Sequence, residues 1–169
     1  DWKEKPLRLL ELGVFKGGSE RMWKRYFPRA QIFGVDIDEA CRVYAEERIE
    51  IRIGDLSQDE MLESLKEIRP HIIVDDASHF WSHQIKALFA LFPALPSGGI
   101  YILEDLETSF HPHLFPTHGD APLDAYTVAE RIARVAAIHK PCMEGPFAEE
   151  ITAVGMATEL MATMLSSCI

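Results

Sequence analysis

Five short apolar runs alternate with charged or amphipathic stretches over the first 105 residues, and this alternation constrains the fold more than any other feature. Runs of this length with little internal periodicity are typical of strands buried on both faces. The predicted strands are Leu7–Gly13, Gln31–Ile37, Ile49–Ile53, His71–Val74 and Ile100–Leu103. The predicted helices between them are Glu20–Tyr26, Glu39–Glu47, Asp59–Ile68 and Trp81–Phe92. Strands that alternate with helices indicate an α/β fold, with a doubly wound, Rossmann-like, mostly parallel sheet and helices on both faces.

Acidic residues stand at the end of every predicted strand. They are Glu11, Asp36, Asp55, the pair Asp75 and Asp76, and the pair Glu104 and Asp105. Ligands of doubly wound sheets bind beyond the carboxyl ends of the strands. We therefore expect the functional site at this edge of the sheet.

Beyond the fifth strand the regular alternation of strands and helices ends. Thr108–Asp124 contains three Pro and three His and predicts a long loop, and Tyr126–Ile138 predicts a helix. Ile151–Ile169 fits either a helix or an antiparallel hairpin around Glu159, and we expect a hairpin that closes the sheet. We expect one domain over residues 1–169. Because the sequence begins at Asp1 and opens almost at once into a strand, we expect it to be excised from, or incomplete relative to, a longer chain.

Composition excludes some classes of function. The formal net charge is −10, which disfavours binding to the phosphate backbone of nucleic acids. No apolar run reaches the roughly 18 residues that a membrane-spanning helix needs, so no membrane contact is expected. Three widely spaced cysteines form neither a disulfide framework nor a zinc pattern, which favours reduced thiols and a cytoplasmic location.

The first turn of the predicted sheet is rich in glycine. Gly13, Gly17 and Gly18 separate a strand from a helix that Ser19 is placed to cap, and glycine lets the backbone approach a ligand closely. The pattern is neither the GxGxxG fingerprint nor a P-loop. A carboxylate at Asp36 is placed to hold ribose hydroxyls, and Asp55 lies where an adenine would be. These features predict an adenosine site that includes no diphosphate.

A second group of polar residues follows the fourth and fifth strands. Asp76 and His79 follow one strand, and Glu104 and Asp105 follow the other. Turning an alcohol into a nucleophile at neutral pH requires a general base or a metal ion that acidifies the hydroxyl. His79 suits the first role, whereas Asp76, Glu104 and Asp105 form an oxygen set suited to Mg²⁺. The residues alone leave both mechanisms open.

The segments ELGVFKGGS, GVDID, GD, VDDASH and EDLETS, in this order, resemble the class I S-adenosylmethionine-dependent O-methyltransferases. More narrowly, they resemble the mycinamicin-type macrolide sugar O-methyltransferases and the O-methyltransferase domains of modular polyketide synthases. The resemblance covers about Leu7 to Phe110. Its narrowest element is the pair of DDxSH and EDxxTS motifs, which begin 28 residues apart at Asp76 and Glu104. Two departures are DDASH in place of DDGSH and Phe110 where an aromatic Tyr-Trp-Pro segment is usual.

The resemblance implies S-adenosylmethionine as cofactor, with Glu11 and Gly13 on its methionine side, Asp36 on the ribose and Asp55 near the adenine. We also expect Gly17, Ser19 and Asp75 to line this site. For the reaction, the resemblance implies that His79 is the general base and that Asp76 and Glu104 are catalytic residues beside it. In the sugar enzymes it adds Mg²⁺, here on Asp76, Glu104 and Asp105; in the synthase domains it gives a metal-free dyad of His79 and Glu104.

The predicted acceptor is a secondary hydroxyl of a natural product, either a macrolide-type sugar or a polyketide β-hydroxyl that is free or bound to a carrier protein. Two other functions are weighed against this one. A dinucleotide-dependent reductase is disfavoured by the missing GxGxxG and Tyr-x-x-x-Lys patterns. A non-catalytic nucleotide-binding module is disfavoured by the presence of Asp36, Asp76, His79 and Glu104. Whether the chain works as a homo-oligomer or beside neighbouring synthase domains is left open.

Overall fold

The computed structural model describes residues 2–137, in which five strands form one parallel sheet. The strands are β1 (Arg8–Leu12), β2 (Gln31–Asp36), β3 (Ile49–Ile53), β4 (Ile72–Asp75) and β5 (Ile100–Leu103). Their order across the sheet is β3-β2-β1-β4-β5. The chain winds outward from β1 in one direction and then from β4 in the other, which is the doubly wound arrangement with its switch point between β1 and β4. The predicted fold class is therefore confirmed, whereas the predicted C-terminal hairpin lies outside the described residues.

The helices are α1 (Gly18–Tyr26), α2 (Asp59–Lys66), α3 (Trp81–Leu91), α4 (Phe115–His118) and α5 (Ala125–Ala137). Short 3₁₀ turns cover Glu39–Tyr44, Phe92–Ala94 and Leu106–Ser109. The chain divides into two compact units. Within the described residues, the first comprises 2–78 together with 94–104, and the second comprises 79–93 and 105–137. No helix within residues 2–137 has the length and apolar character needed to cross a membrane.

Three local predictions were wrong. The segment Glu39–Glu47 forms a 3₁₀ turn over Glu39–Tyr44 in place of a helix, because the Asp38 carboxylate accepts the Ala40 N–H and Glu46 already bridges to Ile49 at the start of β3. Ser19 does not cap α1; Gly17 does so, with a positive φ of 66°. The expected loop Thr108–Asp124 contains α4, whose first turn tolerates Pro116 because the first helical N–H groups have no partner within the helix.

The core of the first unit lies around β1, the middle strand of the five-stranded sheet. Leu9, Leu10 and Leu12 are fully buried, so both faces of β1 are covered. On one face of the sheet, residues of β1, β2, β3 and β4 pack with α1 and the 3₁₀ turn before β3 in a single apolar cluster. That cluster contains Leu7, Leu9, Val14, Phe27, Ala30, Ile32, Cys41, Ile49, Ile51, Ile72 and Val74. This packing fixes the carboxyl ends of the strands, where the predicted site residues lie.

The second unit is built around α3 and α5. Val128 and Ile132 of α5 are buried, and they recur at the four-residue spacing of one helix face. The Trp81 ring contacts the Phe115 ring edge-on, with centroids 5.2 Å apart. The Asp120 carboxylate accepts the Ser82 backbone N–H at 2.9 Å, so it holds the first turn of α3 in place.

Candidate active site

The loop between β1 and α1 is held by the carboxylate of Asp36. Oδ2 of Asp36 accepts the backbone N–H groups of Val14 at 2.9 Å and Phe15 at 3.0 Å, while Oδ1 accepts the N–H of Asp38 at 2.9 Å. Burial raises the pKa of Asp36, but these N–H donors outweigh it and bring the pKa below its ordinary value. Asp36 therefore stays ionised and shapes the loop, a role that the sequence analysis did not predict.

Gly13 occupies a position that no other residue fits. Its φ is 95°, and a Cβ there would overlap the carbonyl oxygen of Asp76 and lie 2.8 Å from its carbonyl carbon. The Asp76 N–H also donates to the Leu12 carbonyl at 2.9 Å. The turn after β1 and the turn after β4 are thus in direct backbone contact, at the switch point of the sheet.

Gly17 allows an aromatic ring to pack against the same loop. A Cβ on Gly17 would lie 2.6 to 2.9 Å from three atoms of the Tyr44 side chain. The Gly17 N–H donates to the Val14 carbonyl at 2.9 Å and closes the turn. The Tyr44 ring and this hydrogen bond thus hold the loop in its conformation.

Two carboxyl groups are buried beneath this loop. Glu11 in β1 is 2% exposed and Glu20 in α1 is fully buried. The Ser19 hydroxyl lies 3.5 Å from Glu20 Oε2. Gly34 on β2 makes room for the pair, since a Cβ there would lie 3.1 Å from Glu20 Oε1. Within residues 2–137 neither Glu11 Oε2 nor Glu20 Oε1 has a hydrogen-bond partner.

The two buried carboxyls hold their protons more tightly than exposed ones. Burial, reinforced by the negative charge of Glu20, raises the pKa of Glu11 to about 8. Burial also raises the pKa of Glu20 to about 6. At neutral pH the pair consequently retains a proton, and a cation near Glu11 would favour its release.

Asp55 and Asp75 have structural partners. Asp55 follows β3, and its Oδ1 accepts the Ser57 N–H at 2.8 Å in a tight turn. Asp75 ends β4, and its Oδ2 accepts the Tyr101 hydroxyl hydrogen at 2.9 Å. Burial raises the pKa of Asp75 to about 7, although the Tyr101 hydrogen bond acts in the opposite direction. Asp75 is buried, so the structure favours a role for it in holding β4 beside β5.

Asp76 and Glu104 lie at neighbouring positions in the first unit. The register pairs Asp75 with Leu103, and the Glu104 N–H continues the ladder by donating to the Asp75 carbonyl at 3.0 Å. Asp76 and Glu104 each follow these paired residues by one position. The structure thus places the two carboxylates at the ends of adjoining strands, as the sequence predicted.

His79 and Asp105 meet in the second unit. Nε2 of His79 lies 3.2 Å from Oδ2 of Asp105. Both residues have a positive φ, 56° for His79 and 53° for Asp105. Such backbone conformations are costly for residues other than glycine and cluster at functional sites. Asp105 is thus a carboxylate neighbour of the His79 ring, and the pairing of His79 with Glu104 stays a prediction.

Glu20 and Tyr101 are the site neighbours that the sequence analysis missed. Glu20 could have been found from helical spacing, because Trp23 and Phe27 recur three and seven positions after it on the inward face of α1. Tyr101 carries no such signal, since its partner Asp75 is set by the strand register.

Two curated proteins are similar to about two thirds of the chain. The 8-demethyl-8-α-L-rhamnosyl tetracenomycin-C 2′-O-methyltransferase of Streptomyces olivaceus is 39% identical over 120 residues, which are 66% of this chain and 32% of that protein. The mycinamicin VI 2″-O-methyltransferase of Micromonospora griseorubida is 39% identical over 121 residues, 66% of this chain and 30% of that protein. The chain thus spans about a third of the length of the curated relatives that it matches.

A solved structure agrees with this similarity. The MycE methyltransferase of the mycinamycin pathway, in complex with Mg, SAH and mycinamycin VI, superposes with a TM-score of 0.72 at 32% identity. The match covers 86% of this chain and 39% of MycE. No protein-family model matches the chain.

Proposed function

From the homology of this chain to sugar O-methyltransferases of macrolide and tetracenomycin pathways, we propose that it contains the catalytic core of an S-adenosylmethionine-dependent O-methyltransferase. The proposed acceptor is a hydroxyl group on the sugar of a polyketide-derived natural product. The observation that carries the proposal is the loop from Gly13 to Ser19, which the Asp36 carboxylate holds open by two N–H bonds.

The residues around this loop fit the cofactor. Gly13 and Gly17 let the loop pack closely on the Asp76 backbone and the Tyr44 ring, and Asp36 retains an ionised carboxylate suited to ribose hydroxyls. Glu11 is proposed for the cationic methionine end, because a cation there would stabilise its ionised form. Asp55 is proposed near the adenine, and Ser19 beside Glu11. When bound, the cofactor supplies an already activated methyl group.

His79 is the proposed general base. Its Nε2 lies 3.2 Å from the Asp105 carboxylate, which places the hydrogen of the neutral ring on Nε2, so Nδ1 is the atom proposed to take the proton of the acceptor hydroxyl. The Asp105 carboxylate would stabilise the imidazolium that results. The remaining barrier reduction comes from alignment of the acceptor oxygen with the methyl group, which in the best model systems contributes roughly 7–11 kcal/mol.

Asp76, Glu104 and Asp105 are the proposed ligands of Mg²⁺. Asp76 and Glu104 follow adjoining strands in the first unit, and Asp105 is the next residue in the chain. Carboxylate oxygens are the donors that this hard cation prefers, so the residues fit the ion. When bound, Mg²⁺ would acidify an acceptor hydroxyl and orient a vicinal pair.

A metal-independent reaction on a polyketide hydroxyl is the second candidate. The observation that favours it is the contact of His79 with Asp105, which occupies one proposed metal ligand and orients the base without a cation. Here Glu104 would support His79, as the dyad predicted from the sequence requires.

Methyl transfer to defined acceptors tests both candidates. The protein is incubated with S-adenosylmethionine and either a glycosylated macrolide or a carrier-bound β-hydroxyacyl chain, with EDTA or with added Mg²⁺, and the product mass is measured. The proposal predicts a gain of one methyl group on the glycosylated acceptor that EDTA abolishes and Mg²⁺ restores. Full activity in EDTA on the carrier-bound chain would favour the second candidate. Binding of S-adenosylhomocysteine with no transfer to any acceptor would indicate a non-catalytic module.

A further inference from the structure

A basic cleft lies along α1 in the first unit. Its volume is about 500 Å³. The lining residues, here called the basic cleft, are Arg21, Lys24, Arg25, Pro28, Glu46 and Arg48. Four are cationic and one is acidic, in a chain whose formal net charge is −10. The function proposed above makes no use of them.

The cleft extends from Arg21, whose guanidinium stacks on Tyr44 beside the glycine loop, towards the amino ends of the strands. Helix α1 starts beyond the carboxyl end of β1 and runs back along the sheet, so Lys24 and Arg25 in its last turn approach the amino ends of the strands. Arg48 directly precedes the first residue of β3. The glycine loop and Asp36 lie at the carboxyl ends.

Three of the cationic side chains are held in place by other contacts. Lys24 Nζ lies 3.1 Å from Glu46 Oε1, which neutralises the single acid of the cleft. The Arg48 guanidinium donates to the carbonyls of Lys24, Phe27 and Ala30 at 3.1 to 3.2 Å. The Arg21 guanidinium lies 5.5 Å from the centre of the Tyr44 ring. A ligand would therefore lose little affinity to ordering these side chains.

Two guanidinium groups retain uncompensated charge. Arg21 and Arg25 stand four residues apart on one face of α1, where like charges repel. In the described part of the chain neither forms a salt bridge with a carboxylate. Guanidinium groups match phosphate oxygens with paired hydrogen bonds. The acidic remainder of the chain is screened beyond about 8 Å at physiological salt, so the local charge dominates.

We propose that the basic cleft binds a phosphate or diphosphate group of a small molecule, with Arg21 and Arg25 as its principal ligands. The volume exceeds that of the anion alone and leaves room for an attached organic group. The same chemistry occurs in a nucleoside diphosphate and in the phosphopantetheine arm of a carrier protein. The proposal does not depend on methyl transfer.

Calorimetric titration with inorganic pyrophosphate at low salt tests the proposal. We expect saturable binding, and we expect Arg21→Ala and Arg25→Ala each to weaken it about tenfold or more, as loss of a charged hydrogen bond implies. Arg29→Ala is the matched control, because Arg29 is an exposed arginine just beyond α1 that does not line the cleft. The affinity of Arg25→Ala for S-adenosylhomocysteine reports the proposed methyltransferase site separately and should not change, since Arg25 stands in the last turn of α1.

Two results would overturn the proposal. One is the absence of saturable binding at millimolar pyrophosphate. The other is equal weakening by Arg29→Ala, which would show diffuse attraction to positive charge. Parallel titrations with a nucleoside diphosphate and with phosphopantetheine identify the source of the group, since the natural ligand should bind more tightly than pyrophosphate. Equal affinity for all three would confine recognition to the phosphate, as the proposal states.

Discussion

At the scale of single residues, Gly13 sets the geometry of the whole site. A Cβ at this position meets the Asp76 backbone, and a φ of 95° is strained for any other residue. Gly13→Ala should lower the free energy of unfolding by about 2 kcal/mol or more in urea denaturation. Gly18→Ala is the matched control: its Cβ would meet nothing within 4 Å, and alanine favours the helix there. Equal stability of the two variants would contradict the described backbone contact.

The buried pair of Glu11 and Glu20 makes stability depend on pH. The pKa values of about 8 and about 6 both exceed the ordinary 4.5, so between pH 4.5 and 8 the folded protein binds more protons than the unfolded chain. The contribution of this pair to stability should therefore be complete below pH 4.5 and be lost as the pH rises towards 8, by up to about 1.4 kcal/mol per pH unit for each proton.

Glu20→Gln should flatten this pH dependence because it removes one carboxyl and its repulsion of Glu11. Unfolding in urea at about pH 5 and about pH 8 measures the slope. Glu47→Gln is the control, since Glu47 is exposed. An unchanged slope in Glu20→Gln would show that the two groups do not share a buried environment.

His79 is the residue on which the proposed proton transfer depends. His79→Ala should lower kcat by roughly 10²- to 10⁴-fold with an unchanged affinity for S-adenosylhomocysteine. His83→Ala, a change of the same kind one helical turn later, should leave kcat within a fewfold of the parent value. Near-normal turnover of His79→Ala in the acceptor assay would transfer the role of base to Asp76 or to a metal-bound hydroxyl.

At the scale of elements, the Arg48 guanidinium ties the end of α1 to the start of β3. It donates to three carbonyls of the segment that follows α1 and of its last turn. Arg48→Ala should destabilise the protein by about 1–3 kcal/mol, because the carbonyls lose charged donors in a partly buried place. Arg48→Lys should recover only part of this loss, since an ammonium group cannot reach three carbonyls. Full rescue by lysine, measured by urea denaturation, would contradict this assignment.

The strands were more predictable than the turns between them. The bounds of β3 and β5 agree with the sequence prediction, because β3 alternates isoleucine with charged residues and β5 is a short apolar run between Gly99 and Glu104. The charged residues of Glu39–Glu47 predict a helix, whereas local contacts of Asp38 and Glu46 produce a 3₁₀ turn over Glu39–Tyr44. The cap of α1 depends on the backbone angle at Gly17, which composition does not reveal.

Candidate site residues at strand ends could be placed in advance, since parallel strands bring their carboxyl ends to one edge. The hydrogen-bond partners of those residues could not be placed from the sequence. Nothing in the sequence indicates that the Asp36 carboxylate anchors the backbone of Val14 and Phe15. The contact of Asp105 with His79 likewise depends on the left-handed backbone conformations of both residues. Buried pairs such as Asp75 with Tyr101 follow from strand register and not from any local pattern.

At the scale of the whole molecule, the chain combines an acidic surface, a glycine loop and a local basic cleft. The net charge of −10 disfavours nucleic acid as a partner. The homology concerns about a third of the length of the curated relatives. For the chain itself we expect that the loop after β1 binds the methyl donor.

Calorimetric titration with S-adenosylhomocysteine tests that claim most directly. We expect saturable binding of one molecule per chain, with NADPH giving none. Asp36→Ala should weaken binding roughly 10- to 100-fold, because a charged partner worth roughly 1.5–3 kcal/mol is lost. Asp59→Ala, an exposed acid at the start of α2, should bind like the parent. Absence of saturable binding, or the same affinity in Asp36→Ala as in the parent, would contradict the account.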